Sequence, residues 1–351
     1  GKDMMTCDDA TLESLAVHRV GNKVNGDVLK ISAAPYILDA DISSVLLHYF
    51  TSAFKSNQYF VFALDKGEGY NCMYEAISNI FDNPKQSFYE QSCVIAKHLY
   101  DVSTHPNIKT GELYITYMKN CYLDGKIVDA VGIFKSENKE TYLKVYPDGD
   151  NFDISQDNGI NINKLDKGCI VFNTERENGY VVSIVDTNSR GNEAVYWVDD
   201  FLALRQRQDS YHKTEGMLDL CRKFVRDFMP QEYEMTKADQ AEYFNRSSDF
   251  FKENKNFNTD NFAQKVLEDD DLKDKFIDFK GKYEQERELD LDDDFILDEN
   301  VVRKASRYLR SVIKLDKNFT LYIHGRRDRV EIGEDEKTGL KYYKLYFEKE
   351  A

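Results

Sequence analysis

The sequence predicts an α+β protein of two domains, residues 1–209 and 210–351, and three observations lead to this prediction. Alternating apolar runs in the first two hundred residues enclose Asn-Gly and Asp-Gly dipeptides, a strong signal of β-hairpins. Apolar residues at helical spacing lie between those runs. Near Gln206–Ser210 the pattern becomes almost wholly helical, and strands return only at the end. We therefore expect a mostly antiparallel sheet with packed helices in the first domain, and a helical second domain ending in a β-hairpin.

Strands of the first domain are predicted in pairs around three dipeptides, Asn25-Gly26, Asp124-Gly125 and Asn178-Gly179. The pairs are Leu15–Val20 with Val28–Ile31, Leu113–Tyr122 with Ile127–Phe134, and Cys169–Asn173 with Tyr180–Asp186. Thr141–Tyr146 is expected to form a further strand. Because hairpins join neighbouring antiparallel strands, an antiparallel sheet is the economical arrangement.

Two helices of the first domain are predicted from apolar residues that recur at three- and four-residue steps. The first runs from Ile42 to Phe54, with Asp41 as its N-cap. The second, Phe88–Val102, ends shortly before Pro106, since a residue preceding proline avoids the helical region. Gly67-Glu68-Gly69 lacks the third glycine of a dinucleotide-binding turn and predicts a loop.

The second domain begins with an apolar stripe from Met217 to Phe228, which Pro230 is expected to stop. Helical spacing continues through Phe262, Val266, Leu272, Phe276, Phe279 and Tyr283. Closing strands are predicted over Phe319–Ile323, at Val330 and Ile332, and over Leu340–Phe347. The last two strands flank a loop and predict the terminal hairpin.

Composition favours a folded protein that does not cross a membrane. Of the 351 residues 41% are hydrophobic, yet no apolar run reaches the roughly 18–20 residues of a membrane helix. The first residues lack the charged and apolar regions of a signal peptide, so we expect a cytoplasmic protein. The six cysteines form no C-x-x-C pair, which suits reduced, buried thiols better than disulfides or a zinc site.

No recognisable catalytic or metal-binding motif is present in the sequence. It lacks the phosphate-binding, dinucleotide-binding, zinc-protease and nucleophile-elbow signatures. Asp148, Asp150 and Asp153 resemble the start of a calcium loop, but Phe152 occupies the fifth position, which must supply a ligand. We interpret that stretch as a solvated turn. The sequence therefore favours a binding protein, with no enzymatic activity, metal or cofactor expected.

The strongest enzymatic alternative is a metal-dependent phosphodiesterase or nuclease built on Asp129, Glu140 and Lys144. These residues lie on or beside adjacent predicted strands. Two carboxylates could bind Mg²⁺, and a lysine could stabilise a transferring phosphate. The competing interpretation is that the charges mark the solvent side of a sheet whose other side carries Leu143 and Val145.

Charge is segregated in the second half of the chain. Val266–Glu299, the acidic segment, holds 15 acidic and five basic residues. Arg303–Arg329, the basic segment, holds nine basic residues against Asp316 and Asp328. The total charge is −16, so a uniformly charged surface would repel nucleic acid, whereas a segregated one need not. Either the two segments neutralise each other, or the basic segment is a binding face.

If nucleic acid is bound directly, the contact is expected in the basic segment. The candidate residues are Arg303, Lys304, Arg307, Arg310, Lys314, Arg326, Arg327 and Arg329. The first four recur at three- and four-residue steps, so a helix would present most of them on one side. The turn at His324–Arg327 could present guanidinium groups to phosphates. No regularly spaced aromatic residues are interleaved with them, so the contact is expected to be non-specific.

Three parts of the chain together resemble the bacterial 37-kDa nucleoid-associated protein family. They are Leu15–Val20 with Asp27–Lys30 and the helix from Ile42, Phe88–Val102 with the segment from Thr110 to Phe134, and Arg307–Arg310 through Phe347. The resemblance implies a cytoplasmic protein of the bacterial nucleoid without known enzymatic activity. It also implies interaction with chromosome-maintenance proteins, type II topoisomerases among them. The leading hypothesis is therefore a nucleoid-associated binding protein that contacts chromosomal DNA weakly or contacts DNA-bound proteins. An acidic protein-binding adaptor is the other hypothesis, because a net charge of −16 opposes strong DNA binding.

Self-association is expected from the last strand, which carries Tyr342, Tyr343, Tyr346 and Phe347. Such surface is often buried between subunits, and a two-fold homodimer is the commonest assembly. The alternative is burial against the chain's own helices.

Overall fold

The computed structural model describes residues 4–55, 58–64, 71–187 and 195–351 of the chain. Its contacts divide the chain into two compact units, Gly1–Arg207 and Gln208–Ala351. The domain boundary predicted after residue 209 remains a prediction about which parts fold independently. The loop predicted at Gly67–Gly69 lies outside the described residues. Within the described residues, no helix is both long enough and apolar enough to cross a membrane.

Eleven strands are described in the first unit. They are β1 (Met5–Thr6), β2 (Thr11–Val20), β3 (Leu29–Lys30), β4 (Phe60–Phe62), β5 (Gly111–Leu123), β6 (Lys126–Ser136), β7 (Glu140–Asp148), β8 (Asn151–Gly159), β9 (Lys167–Phe172), β10 (Val181–Asp186) and β11 (Leu204–Gln206). Nine of them form one antiparallel sheet in the order β11-β4-β10-β9-β6-β5-β2-β3, with β1 also paired to β5. The predicted α+β class with a mostly antiparallel sheet is confirmed.

Helices cover both faces of this sheet, which explains the long apolar runs in its central strands. They are α1 (Ala40–Thr51), α2 (Cys72–Asp82) and α3 (Phe88–Val102). On one face, Ile77 of α2 and Leu99 of α3 belong to the same core as Val131 of β6. On the other face, Phe50 of α1 stacks on Phe134 of β6 with ring centroids 4.3 Å apart. The core of the first unit therefore consists of two layers, one on each side of the sheet.

The predicted hairpins are confirmed, and residues that tolerate positive φ set their turns. Asp124 and Gly125 join β5 to β6 with φ of 47° and 83°, as a two-residue type I′ turn requires. The other two hairpins have longer connections, in which Gly26 and Gly179 have φ of 79° and 95°. Glycine is favoured at both positions because a side chain disfavours this left-handed region.

The first helix begins earlier than the sequence predicted. Asp39, and not Asp41, is the N-cap, because its carboxylate accepts the N–H of Ile42 at 2.8 Å. Asp41 lies in the first turn, where a negative charge still favours the helix dipole. The predicted helix Phe88–Val102 is confirmed. Sequence analysis missed α2, although Asn71 caps it by accepting N–H groups of its first turn.

The strand predicted at Thr141–Tyr146 exists, but it does not join the sheet. In the described structure β7 pairs only with β8, and the two nine-residue strands form a separate hairpin, the arm (residues 140–159). At about 3.3 Å per residue, the arm is about 30 Å long. Sequence analysis missed β8, because Asp148–Asp153 reads as a turn; the turn itself is only Gly149-Asp150.

A buried charge cluster fixes the chain where the arm begins. Lys135 Nζ donates to one carboxylate oxygen of Glu137 at 2.9 Å, and Lys167 Nζ donates to the other at 2.6 Å. Burial opposes ionisation of Glu137, but the two ammonium groups outweigh it and lower the pKa of the carboxyl. The Asp166 carboxylate accepts the N–H groups of Glu137 and Asn138. These bonds satisfy the backbone as it leaves β6.

All six cysteines are free in the structure, and Cys72 and Cys93 are only half-buried. Cys7, Cys121, Cys169 and Cys221 are buried, the usual location of an unreactive thiol. Burial raises the pKa of the Cys169 and Cys221 thiols, so both stay protonated.

The second unit is mainly helical, as predicted. Its helices are Ser210–Lys223, Met229–Glu232, Lys237–Glu253, Thr259–Phe262, Asp270–Arg287, Glu299–Val302 and Ala305–Tyr308, with π-helical turns at Phe224–Phe228 and Ala263–Leu267. Phenylalanine rings dominate the core. Phe276 lies between two others, with ring centroids 5.1 Å from Phe262 and 5.2 Å from Phe224. Contacts between these rings connect the helical path through Phe224 to the helices Thr259–Phe262 and Asp270–Arg287.

The prediction that Pro230 stops the first helix of this unit is wrong. The helical path passes through the proline and ends at Glu232. A proline donates no backbone hydrogen bond, which leaves carbonyl groups of the preceding turn without a partner. Gln240 Nε2 donates to two such carbonyl groups, those of Val225 and Arg226, at 3.2 Å each. A side chain from the next helix therefore replaces the missing donor.

Three antiparallel strand pairs complete the second unit. They are β12 (Asn256–Asn258) with β13 (Asp294–Ile296), β14 (Val312–Leu315) with β15 (Phe319–Tyr322), and β16 (Val330–Glu334) with β17 (Lys341–Leu345). The last of them is the predicted terminal hairpin. Ile313, Ile323 and Val330 pack on Ala238 and Ala241 of the helix Lys237–Glu253, in a small core of their own.

Replacing Glu137 with Gln should destabilise the first unit by about 3 kcal/mol or more, because Lys135 would remain buried without its carboxylate and Lys167 would keep only Asp186, 3.6 Å away. Urea unfolding followed by circular dichroism measures the change. Asp82→Asn is the matched control. The Asp82–Arg176 pair is half exposed, so its loss should cost less than about 1 kcal/mol. Equal losses in the two variants would contradict a structural role for the buried cluster.

We propose that the two units fold independently, and limited proteolysis tests this. Early cuts are expected between about residues 200 and 215, or in the acidic stretch Leu289–Asp294, because exposed connections are cleaved before packed elements. Mass spectrometry of the fragments locates the cuts. First cuts inside Gly111–Ser136 would contradict both the boundary and the central position of β5 and β6 in the sheet.

Candidate nucleic-acid interface

The basic segment begins on a broken helical path and not on one continuous helix. A turn at Arg303-Lys304 separates the two one-turn helices of this region. Ala305 and Leu309 are buried, whereas Arg307 and Arg310 are exposed. The buried residues recur every four positions and anchor the path to the core of the unit. The cations between them consequently face solvent.

A hairpin continues this basic surface. Its register places Lys314 of β14 on the same face as Tyr322 of β15. Arg310 precedes β14, and its guanidinium carbon lies 4.4 Å from the centre of the Tyr322 ring, a cation–π contact. The His324 ring lies nearly parallel to that of Tyr322, with centroids 6.5 Å apart. The outer face of the hairpin thus combines cations with two flat rings.

The basic segment and the helix Lys237–Glu253 together line a pocket of about 320 Å³. Arg307 and Arg310 border it from one side, and Lys252 borders it from the helix. Asp249 is the one carboxylate in the described lining, and it forms no ion pair there within 4.0 Å. Cations therefore outnumber carboxylates around the pocket, as binding of a phosphate requires.

Three of the eight candidate residues form ion pairs within the chain. Arg327 is half-buried and donates to Asp239 at 3.0 Å and to the backbone oxygen of Val330 at 2.7 Å. Arg326 pairs with Asp328 at 2.9 Å and Arg329 pairs with Glu348 at 3.2 Å, both at the surface. Their charges are therefore locally compensated.

The other five candidate residues are exposed and form no ion pair with the described part of the chain. They are Arg303, Lys304, Arg307, Arg310 and Lys314. Burial raises the pKa of the half-buried Glu215 carboxyl, and the charge of Lys304 acts in the opposite direction. The remaining basic residue of the segment, Lys317, is also exposed in the turn between β14 and β15. Within the basic segment, the cations without an ion pair thus lie between residues 303 and 317.

The acidic segment does not cover these cations. Between the described residues of the two segments there is no ion pair within 4.0 Å. Carboxylates of the acidic segment pair instead with Lys213, Lys275, Lys280 and Lys282. Of the two interpretations of the charge segregation, mutual neutralisation by ion pairs is therefore not found.

Sequence reasoning missed the helical side of the pocket. Lys252 and Asn245 lie on the helix Lys237–Glu253, and Asn245 Nδ2 donates to the backbone oxygen of Ile323 at 2.8 Å. This bond ties the helix to the end of β15. The sequence gives no sign that these two residues lie beside the basic segment. They are distant from it along the chain, and their residue types are ordinary on an exposed helix face. Tyr322 was missed for a different reason, since a single ring shows no periodic spacing.

The structure does not bring the three nuclease candidates together. Asp129 lies in β6, and the Tyr117 hydroxyl donates to its carboxylate at 2.5 Å. Glu140 and Lys144 lie on the arm, which begins after Ser136, the last residue of β6. Along β6, at about 3.3 Å per residue, Ser136 is already about 23 Å from Asp129. Within the described ranges, no three His, Cys, Asp or Glu side chains are grouped as a metal ion would need.

Comparison with known proteins adds one family to these observations. The family NA37, described as nucleoid-associated protein YejK, matches residues 16–339 of the chain. The match runs through both units and includes the whole basic segment and the arm. A comparison with curated proteins found no match.

Arg327→Gln should destabilise the second unit by about 2 kcal/mol, because a half-buried carboxylate and a carbonyl oxygen lose their donor. Burial opposes ionisation of Asp239, and hydrogen bonds from Thr236 and Arg327 outweigh it and lower the pKa. Arg326→Gln, its neighbour at the surface, should leave the stability nearly unchanged, because the pair with Asp328 is exposed. Thermal unfolding of both variants measures the difference. If Arg326→Gln destabilised the protein as much, the distinction between inward and outward arginines would be wrong.

Proposed function

The chain belongs to the NA37 family of nucleoid-associated protein YejK, and we propose on that premise that it contacts DNA weakly and without sequence preference. The contact is assigned to Arg303, Lys304, Arg307, Arg310 and Lys314. The observation that carries the proposal is that these exposed cations have no ion-pair partner in the described chain, although an acidic segment lies next to them in sequence.

Cations of this kind suit the backbone of DNA and not its bases. Guanidinium and ammonium groups bind phosphate oxygens, which position a protein on DNA without reading sequence. The five candidates lie on a turn, on a one-turn helix and on a hairpin face, and none of these is a long helix that would fill a major groove. Tyr322 offers its ring to Arg310, so that ring is already engaged on one face.

The binding is expected to be weak. Non-specific contacts of this type have dissociation constants of about 10⁻⁴–10⁻⁶ M at physiological salt. The net charge of −16 adds long-range repulsion, which a short Debye length only partly screens. Local attraction therefore has to act at short distance, where the cations touch phosphates.

The proposal includes a cytoplasmic location at the bacterial nucleoid and no enzymatic activity. Proteins already bound to DNA are the alternative partners, with type II topoisomerases among them. A protein partner would use the same nucleoid location, so DNA contact and protein contact are compatible within one function.

The proposal also includes a homodimer. Tyr342, Tyr346 and Phe347 near the C-terminus remain exposed, whereas Tyr343 is half-buried against the small core of the terminal hairpins. Exposed apolar surface of this kind is commonly covered by a second subunit.

Binding to a short duplex should depend steeply on salt. Five phosphate contacts give a slope of about −4.5 for log affinity against log salt, so affinity should fall about 500-fold between 50 and 200 mM salt. Substituting Arg303, Arg307 and Lys314 with Gln should remove about three units of that slope. Fluorescence anisotropy at several salt concentrations measures both values.

The control for this experiment removes three cations that are already paired. Arg226, Arg326 and Arg329 each form an ion pair, with Asp227, Asp328 and Glu348, and their replacement by Gln changes the net charge equally. The control should keep the parent slope. A control that weakened binding as much would reduce the proposal to a net-charge effect, and no binding by the parent at low salt would reject direct DNA contact.

An acidic adaptor that binds proteins is the second candidate function. Its supporting observation is the exposure of the acidic segment, in which the side chains of Asp278 and Glu286 are 72% and 74% exposed. A pull-down from the source cytosol, with and without nuclease treatment, separates the two functions. Partners that survive nuclease treatment support the adaptor, and partners that disappear with it were bridged by DNA.

A further inference from the structure

The two faces of the arm have opposite chemistry. In its antiparallel register, directly opposed residues share a face. One face, the apolar face, carries Leu143, Val145, Pro147, Phe152 and Ile154, with Thr141, Gln156 and Asn158 at its base. The other face, the charged face, carries Glu140, Lys144, Asp148, Asp153 and Asp157 with two tyrosines. The apolar face therefore contains no ionisable residue along the full length of the arm.

Groups on the charged face pair with one another, whereas the hydrophobic side chains of the apolar face are exposed to solvent. On the charged face the Tyr146 hydroxyl donates to Asp153 at 3.0 Å, and Lys144 lies 4.0 Å from Asp157. On the apolar face every side chain is exposed, and Leu143 and Phe152 are 70% and 73% exposed. Isolated two-stranded hairpins are at best marginally stable in water, so an arm of this length is expected to gain stability from a partner.

We propose that the apolar face of the arm binds the same face of a second copy of this chain, related by a two-fold axis. This inference rests on the homodimer included in the proposed function and names the surface that forms it. Two hairpins can stack face to face about 10 Å apart, as sheets do in a β-sandwich. A two-fold axis packs this face against the same face of the second copy, so no charge is buried and all carboxylates of both arms remain in water.

The area of the apolar face agrees with this occupant. Eight exposed side chains on two strands offer on the order of 600 Å² per copy, hence about 1,200 Å² for the pair, which reaches the lower limit of a specific interface. DNA does not fit the arm, since five carboxylates and one lysine lie between residues 140 and 159. A second copy of this uncharged face needs no compensating charge when the two faces pack together. A charged partner would need one, and the face does not offer it.

Light scattering after size-exclusion chromatography of the full chain tests the proposal. The parent should show twice the monomer mass of 40.9 kDa at tens of micromolar. Val145→Lys with Ile154→Lys places two charges on a directly opposed pair of the apolar face, and the dissociation constant of the dimer should rise at least 100-fold. Asn151→Lys with Ser155→Lys adds the same charge to the other face of the arm, both on β8, and this control should remain dimeric.

A milder variant guards against unfolding of the arm itself. Leu143→Thr with Ile154→Thr keeps residues that favour strands and removes only apolar surface, so it should weaken the dimer about 10-fold or more. A dimeric parent whose lysine and threonine variants also stay dimeric would overturn the arm interface and leave the homodimer to another surface, such as the C-terminal aromatics. A control that dissociates like the lysine variant would overturn it as well. A parent that is monomeric at every concentration would overturn both the interface and the homodimer.

Discussion

A charge that leaves water must find a partner, and this constraint separates the cations of this protein into two groups. Lys135 and Lys167 share Glu137 beneath the arm, and Arg327 holds Asp239 beside the terminal hairpins. These side chains stabilise the fold, because an unpaired charge at such positions costs several kcal/mol. The other group needs no such partner, because its side chains are not buried. It consists of Arg303, Lys304, Arg307, Arg310 and Lys314. They are exposed, the fold does not use them in ion pairs, and they remain available to a phosphate.

The sequence predicts the local structure well wherever one turn or one stripe decides it. Asp124-Gly125 adopts the turn that its residue types require, and Phe88–Val102 follows its apolar stripe. It fails where distant residues decide. Nothing near Pro230 indicates that Gln240 will replace the missing donor, and nothing in the alternation of Thr141–Tyr146 indicates that this strand leaves the sheet. A strand's own pattern shows its two faces and does not show its neighbour.

The sequence predicts where the candidate site lies along the chain, but it does not predict which of its cations are already paired. Charge clustering alone identifies Arg303–Arg329, because nine cations in an acidic chain are conspicuous. Clustering gives equal weight to every cation in the segment. The structure separates them through partners far away in sequence, such as Asp239 for Arg327 and Glu348 for Arg329. Those partnerships arise from the packing of the hairpins on a helix, which no local pattern specifies.

The central claim is that the unpaired cations, and not the chain as a whole, form the DNA-contacting surface. Hydrogen exchange of the full-length protein, with and without a short duplex at low salt, tests this most directly because it reports on every segment at once. We predict slower exchange in residues 303–315 and 319–324, with the arm and the acidic segment unchanged. Protection that appeared only outside the basic segment, or that spread evenly over both units, would contradict the claim.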